Sequence, residues 1–145
     1  YPDSRVTNYI AQNFLPVKIH VKEQPAVFER YGAQWTPTLV LFDADGAERH
    51  RFEGYLPPED FLAQLELGLG HSGFARKQWG EAERHFRNTV HQYPESEAAP
   101  EALYWAGVAR YKASGDASAL QETAGQFKSK YPQSAWAKKS SVWAA

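Results

Sequence analysis

Trp35-Thr36-Pro37-Thr38-Leu39-Val40-Leu41-Phe42-Asp43-Ala44-Asp45-Gly46 sets the architecture of the first half of the chain. Thr38 to Phe42 is a near-continuous apolar run, the mark of a strand in a sheet interior. Asp43-Ala44-Asp45-Gly46 is turn chemistry, with Gly46 able to take a positive φ. Glu48 to Glu53 returns as a polar, edge-type strand, so the pair is expected to form a hairpin. Pro37 has no N–H to give to a ladder and stops the chain from pairing just ahead of the run.

Upstream of this stretch, Asp3 or Ser4 is expected to cap a helix carrying Val6, Tyr9, Ile10 and Phe14 on one face, with Pro16 beyond its end. Val17, Ile19 and Val21 alternate with Lys18, His20 and Lys22, which predicts a strand with one face buried. A short helix, roughly Pro25 to Tyr31, follows with Pro at its start and Gly32 as a left-handed stop. Downstream, Gly54 and Pro57-Pro58 end the hairpin and open a helix from Glu59 to about Leu67, with Phe61, Leu62 and Leu65 facing inward. Together these elements make an α/β unit.

After Gly68-Leu69-Gly70 the composition turns helix-only, which places one domain at 1–68 and a second at 71–145. The second half repeats itself. Tyr93-Pro94-Glu95-Ser96 recurs 38 positions later as Tyr131-Pro132-Gln133-Ser134, and at the same shift Ala99 matches Ala137 and Trp105 matches Trp143. A helical period in the thirties means stacked helix pairs. Helices are expected at about 71–77, 79–92, 97–113, 117–130 and 135–145, the last lacking a partner. Trp79, Phe86, Tyr93, Leu103, Trp105, Tyr111, Phe127 and Trp143 are expected to form the core of the repeats.

Composition excludes several chemistries. With 43% hydrophobic and 14% aromatic residues among 145, the chain is able to bury a core. A formal net charge of −1 gives no bulk case for nucleic acid or an anionic membrane. No apolar run reaches the roughly 18–20 residues that cross a bilayer. There is no Cys, hence no thiolate nucleophile, disulfide or thiolate metal site. The chain holds no Met and opens on Tyr1-Pro2-Asp3, so further residues are expected to precede it and targeting signals at that end are not legible. His85 and His91 lie six apart on different helical faces, which does not suit a metal pair. His85 with Glu81 reads as a surface pair at i, i+4, and His20 and His50 as solvent-facing. Glu81, Glu83, Arg84 and Arg87 read as a solvated helix face. No metal, cofactor or catalytic group is expected, and the glycines form no phosphate loop.

Residues 1–67 resemble the thioredoxin family, most closely its bacterial thioredoxin-like proteins. The resemblance is carried by Asn13-Phe14-Leu15-Pro16-Val17-Lys18-Ile19, Tyr31-Gly32, Trp35-Thr36-Pro37-Thr38, Asp45-Gly46, Gly54-Tyr55 and Pro58-Glu59-Asp60-Phe61-Leu62. It implies an α/β thioredoxin-like domain, incomplete at its N-terminus, in which the bond before Pro37 is cis and Trp35, Thr36 and Pro37 bind an extended substrate peptide. On sequence alone a trans proline is the default. The resemblance also implies that a further strand and the Cys-x-x-Cys come before residue 1, that strand lying between Val17–Val21 and Thr38–Phe42. Residues 71–145 resemble tetratricopeptide repeats, on Ala82-x-x-x-Phe86 with Tyr93-Pro94 and on Tyr104-Trp105-Ala106-Gly107, and imply an all-α array that binds proteins or extended peptides. Two functions follow from the pairing. One is a thiol–disulfide oxidoreductase whose repeats recruit protein partners, and the other a non-enzymatic adaptor or holdase. A weaker third makes the repeats an assembly platform and the first domain its cap.

Overall fold

The computed structural model describes residues 2–144. Asp3 caps the first helix, α1 (Ser4–Asn13), by accepting the Arg5 N–H at 2.8 Å, a bond that satisfies one of the orphan donors of the first turn. After α2 (Pro25–Arg30) the hairpin forms as β1 (Thr38–Phe42) and β2 (Glu48–Glu53). The strands pair antiparallel, Thr38 opposite Glu53 and Leu41 opposite His50, with an irregularity between Leu41 and Phe42. Asp43 makes the turn: its Oδ1 accepts the N–H groups of Asp45 and Ala47, and Gly46 sits at φ 81°.

The remainder is helical: α3 (Pro58–Ala75), α4 (Trp79–Gln92), α5 (Ala98–Ser114), α6 (Ser118–Lys130) and α7 (Ala135–Ser140), followed by a 3-10 turn at Ser141–Trp143. Tyr1 and Ala145, the latter included in the last expected helix, lie outside the described residues. Among the described residues no helix is long and apolar enough to cross a membrane.

Three of the expected elements differ from those observed. The first is the strand at Val17–Val21. Residues 14–20 carry no ladder bonds, the chain turns at 21–23, and Leu15, Val17 and Ile19 are 92%, 79% and 40% exposed. Alternation alone specifies a strand only when another strand lies beside it, and among the described residues none does.

The second is the break at Gly68-Leu69-Gly70. α3 runs unbroken through it for 18 residues. Both glycines are packing positions. A Cβ on Gly68 would overlap Leu41 Cδ2, and one on Gly70 would stand 2.5 Å from the Phe86 ring. The strand and α4 come close because Cβ atoms are missing there, and burial offsets the helix-propensity cost of about 1 kcal/mol per glycine. The third is the final helix, which tightens to 3-10 after Ser140.

α3 is the shared pillar, which is why it is apolar nearly all round. One face of it buries Phe61, Leu62 and Leu65 with Val6 and Leu41. Another buries Ala63 and Leu67 with Ala82, Phe86, Ala102, Leu103 and Phe127. Tyr93 packs against both clusters. Tyr111, expected in the core, is 37% exposed.

The sequence repeat is a structural one. Tyr93 and Tyr131 both end helices with nearly the same dihedrals (φ −129°, ψ 57° and φ −137°, ψ 54°). Each Tyr carbonyl then accepts the N–H of the serine three residues on, Ser96 at 3.1 Å and Ser134 at 3.2 Å. The Tyr131 hydroxyl donates to Pro94 O at 2.8 Å, linking one turn to its counterpart.

Glycines in this region predict opposite outcomes. A Cβ on Gly107 would overlap Thr123 Oγ1 and stand 2.8 Å from Thr123 Cβ; Thr123 is buried and its hydroxyl is already bonded to Ala119 O. Gly107→Ala therefore costs about 1–2 kcal/mol net, overpacking exceeding the gain in helix propensity. Gly125 has nothing within 4 Å of its built Cβ, so Gly125→Ala stabilises by about 0.5–1 kcal/mol. Denaturant midpoints that move in the same direction would refute this account.

Candidate functional site

The loop ahead of β1 presents Trp35, Thr36 and Pro37, all exposed, with Trp35 at 66%. The Thr36–Pro37 peptide bond is cis. Two bonds hold the loop against the hairpin: Thr38 Oγ1 donates to Trp35 O at 2.5 Å, and Gly54 N–H donates to Pro37 O at 2.8 Å. Tyr55, directly after Gly54, is 75% exposed. The hairpin end therefore carries Trp35, Pro37 and Tyr55 as an outward-facing apolar group on a pinned backbone. The Tyr31 ring stands 5.4 Å from Phe42, and its carbonyl accepts from Arg51 Nη2 at 2.6 Å.

The sheet next to this loop is open. Among the described residues β1 pairs with β2 and with nothing else. One face of the hairpin, Leu39, Leu41, His50 and Phe52, lies on α3, with Phe52 edge-on to Phe61 at 5.5 Å. Along its other long edge, β1 offers backbone donors and acceptors that an added strand would pair.

Sequence reasoning missed a buried polar network. Glu66, in the apolar run Leu65-Glu66-Leu67, is 7% exposed. Its Oε2 accepts the Tyr9 hydroxyl, and its Oε1 lies 2.8 Å from His85 Nδ1 and 3.4 Å from Asn88 Nδ2. Burial pushes the Glu66 carboxyl up, but the bonds from His85 and Tyr9, with His85 and Asn88 adding to them, outweigh it and hold the pKa below the ordinary carboxylate value. The same burial and bond push the Tyr9 phenol well above its usual range. An ionised Glu66 accepts only, so the His85 proton sits on Nδ1. Arg84 Nη2 stands 3.3 Å from the other ring nitrogen.

His85 is thus a buried partner, 9% exposed and 3.9 Å from Glu81, where the sequence suggested a surface pair. The available signal was the lone acid within an apolar helical run, since such residues are seldom buried without partners. His50, expected in solvent, is half-buried with Nε2 at 2.7 Å from Gln64 Oε1, and burial lowers its pKa. Arg87 and Glu83, read as part of a solvated face, do pair at 2.7 Å. Among the described residues no group of three or more His, Cys, Asp or Glu side chains is placed to hold a metal ion.

The family model described as the thioredoxin-like domain matches residues 2–68. Residues 2–68 are therefore similar to a thioredoxin-like domain. The chain is 31% identical over 64 residues to thioredoxin Y, chloroplastic, of Oryza sativa subsp. japonica, covering 44% of this chain and 38% of that protein. It is 35% identical over 63 residues to a thioredoxin-like protein of Synechocystis sp., covering 43% of this chain and 59% of that one. The chain thus spans less than two thirds of either relative. No solved structure matches it. The matched segment contains the Trp35–Thr36–Pro37 loop, the open edge of β1 and the extended residues 14–20, and its last helix, α3, continues into the helical region that follows.

Proposed function

We propose that the thioredoxin-like domain and the helices after it form the protein-binding part of a thiol–disulfide oxidoreductase. An extended segment of a client protein lies against Trp35, Thr36 and Pro37, and residues 71–145, a tetratricopeptide-type array forming a second domain, recruit the protein that carries it. The observation that carries this reading is the exposed Trp35–Thr36–Pro37 loop, pinned through Pro37 O and Thr38 Oγ1 at the end of a strand with an open edge. A rigid loop with an exposed Trp limits the side-chain entropy lost on binding, and Trp is enriched at binding hot spots. The array reading is supported by the Tyr93 and Tyr131 turns and by the Tyr131–Pro94 bond.

This chain has no cysteine, so the thiolate that attacks a disulfide must come from residues outside it. The attack forms a mixed disulfide and releases one client thiolate; a second thiol then resolves that bond, leaving the protein oxidised and the client reduced. The absence of Cys from these 145 residues equally favours a second reading, a non-enzymatic adaptor or holdase that uses the same loop and array.

Intact mass of the full protein, alkylated with and without reductant, separates the two. Two thiols that alkylate only after reduction support the oxidoreductase; no thiol sinks it and leaves the adaptor. In either case Trp35→Ala is expected to weaken binding of an unfolded client about tenfold without moving the denaturation midpoint, since the ring contributes little to the core. Unchanged client affinity would remove the loop from the site.

A further inference from the structure

Charge divides sharply along this chain. Residues 110–145 carry six basic and two acidic side chains, whereas residues 1–109 carry ten basic and fifteen acidic ones. In the earlier part Arg5, Arg49, Arg51, Arg84 and Arg87 each lie within ion-pair distance of a carboxylate. In the later part Arg110 pairs with Glu122 at 2.9 Å. Lys112, Lys128, Lys130, Lys138 and Lys139 are all exposed, and among the described residues none of them is ion-paired.

Two of these lysines flank a hollow. Between α6 and α7 lies a cavity of about 270 Å³ lined by Ala124, Phe127, Pro132 and Ala137, with Lys128 and Lys138 beside them. The nearby serine hydroxyls are turned inward: Ser140 Oγ donates to Ala137 O at 3.0 Å and Ser141 Oγ to Lys138 O at 2.7 Å. The two ammonium groups are therefore the strong donors left to recognise a ligand. On another side of α7, Lys139 Nζ stands 4.0 Å over the Trp136 ring, and Tyr104 stacks on Trp143 at 4.7 Å. Around α7, Lys128, Lys138 and Lys139 thus stand beside apolar surface.

We propose that this end of the array is the docking site for an acidic peptide segment of a partner protein. One apolar side chain of the peptide fills the hollow, and carboxylates next to it in sequence meet Lys128 and Lys138. The choice of occupant rests on charge complementarity: Lys128 and Lys138 beside the hollow, without an ion pair among the described residues, attract carboxylates and repel basic segments. A nucleic acid fits less well. The hollow rewards an apolar side chain that a phosphate backbone does not present, and residues 1–109, with their excess of acid, repel a long polyanion. The inference rests on the recruiting role proposed for the array and is independent of the redox chemistry.

The test is fluorescence anisotropy on the full protein with three labelled peptides of about 12 residues. One alternates Glu with Leu and Phe; a second has Lys at every Glu; a third has Gln there. The acidic peptide is expected to bind at least about tenfold more tightly than the other two and to weaken several-fold on going to high salt. The double variant Lys128→Glu, Lys138→Glu is expected to lose about tenfold in affinity for it while keeping its unfolding midpoint, both side chains being exposed and unpaired. Equal binding of the three peptides, or an unchanged affinity in the double variant, overturns the acidic site and leaves the recruiting role standing. Loss of binding in Trp35→Ala but not in the lysine variant moves the contact to the loop and overturns it too. Displacement of the peptide by duplex DNA at lower concentration than by unlabelled peptide overturns the choice of partner. Failure of all three peptides to bind overturns this site together with the recruiting role.

Discussion

Phe86→Ala is expected to lower the free energy of unfolding by about 3–5 kcal/mol, the usual cost of emptying a fully buried aromatic position. The ring is 0% exposed and stands edge-on to His71 at 5.3 Å between centroids. It also fills the space left by the missing side chain of Gly70, where a Cβ would come within 2.5 Å of it. Alanine would thus open a void with rigid walls, the backbone of α3 on one side and the Ala102–Leu103–Phe127 cluster on the other. Such a void collapses only in part, and the atoms lining it lose their contacts outright. Chemical denaturation followed by Trp fluorescence reads the change. A loss below about 1 kcal/mol would mean that the α3–α4 interface repacks freely and is not the pillar described above.

Glu66→Ala is the second large effect, expected at about 3 kcal/mol at neutral pH. The substitution leaves the Tyr9 hydroxyl and His85 Nδ1–H without their acceptor in a largely buried site joining α1, α3 and α4. The carboxyl is depressed in the folded state, which gives the pH dependence its sign. Its stabilisation is fully present above the ordinary carboxylate range and is lost as pH falls through the lower, folded-state value. The gap between parent and variant is therefore expected to narrow on acidification below about pH 4. Tyr9→Phe removes one donor and keeps the ring, and is expected to cost about 1 kcal/mol. Its effect should be non-additive with Glu66→Ala, because the two side chains share one bond. Additive losses, or a gap that widens in acid, would show that Glu66 does not organise the cluster.

Much of the local structure follows from neighbouring residues alone. Asp43-Ala44-Asp45-Gly46 makes its turn because the Asp43 carboxylate reaches the N–H groups two and four residues on and Gly46 accepts a positive φ. Asp3 caps α1 for the same short-range reason. The 38-residue repeat was visible because equal residues at equal spacing build equal turns, Tyr93 and Tyr131 included. Of the candidate site, the exposed loop at Trp35, Thr36 and Pro37 was legible; the Glu66 network was not, since its partners lie 57 and 19 residues away in sequence.

What neighbouring residues could not settle depended on what each segment meets in space. Gly68 and Gly70 look like helix ends until β1 and α4 press against them, and then burial keeps α3 intact. Val17, Ile19 and Val21 alternate as a strand does, yet their backbone finds no partner among the described residues and stays unpaired. Turns and caps are bonds between near neighbours, so their chemistry is written where they occur. A strand's pairing, a glycine's place in a helix and the burial of a charge are decided by distant groups, and the fold alone brings those together.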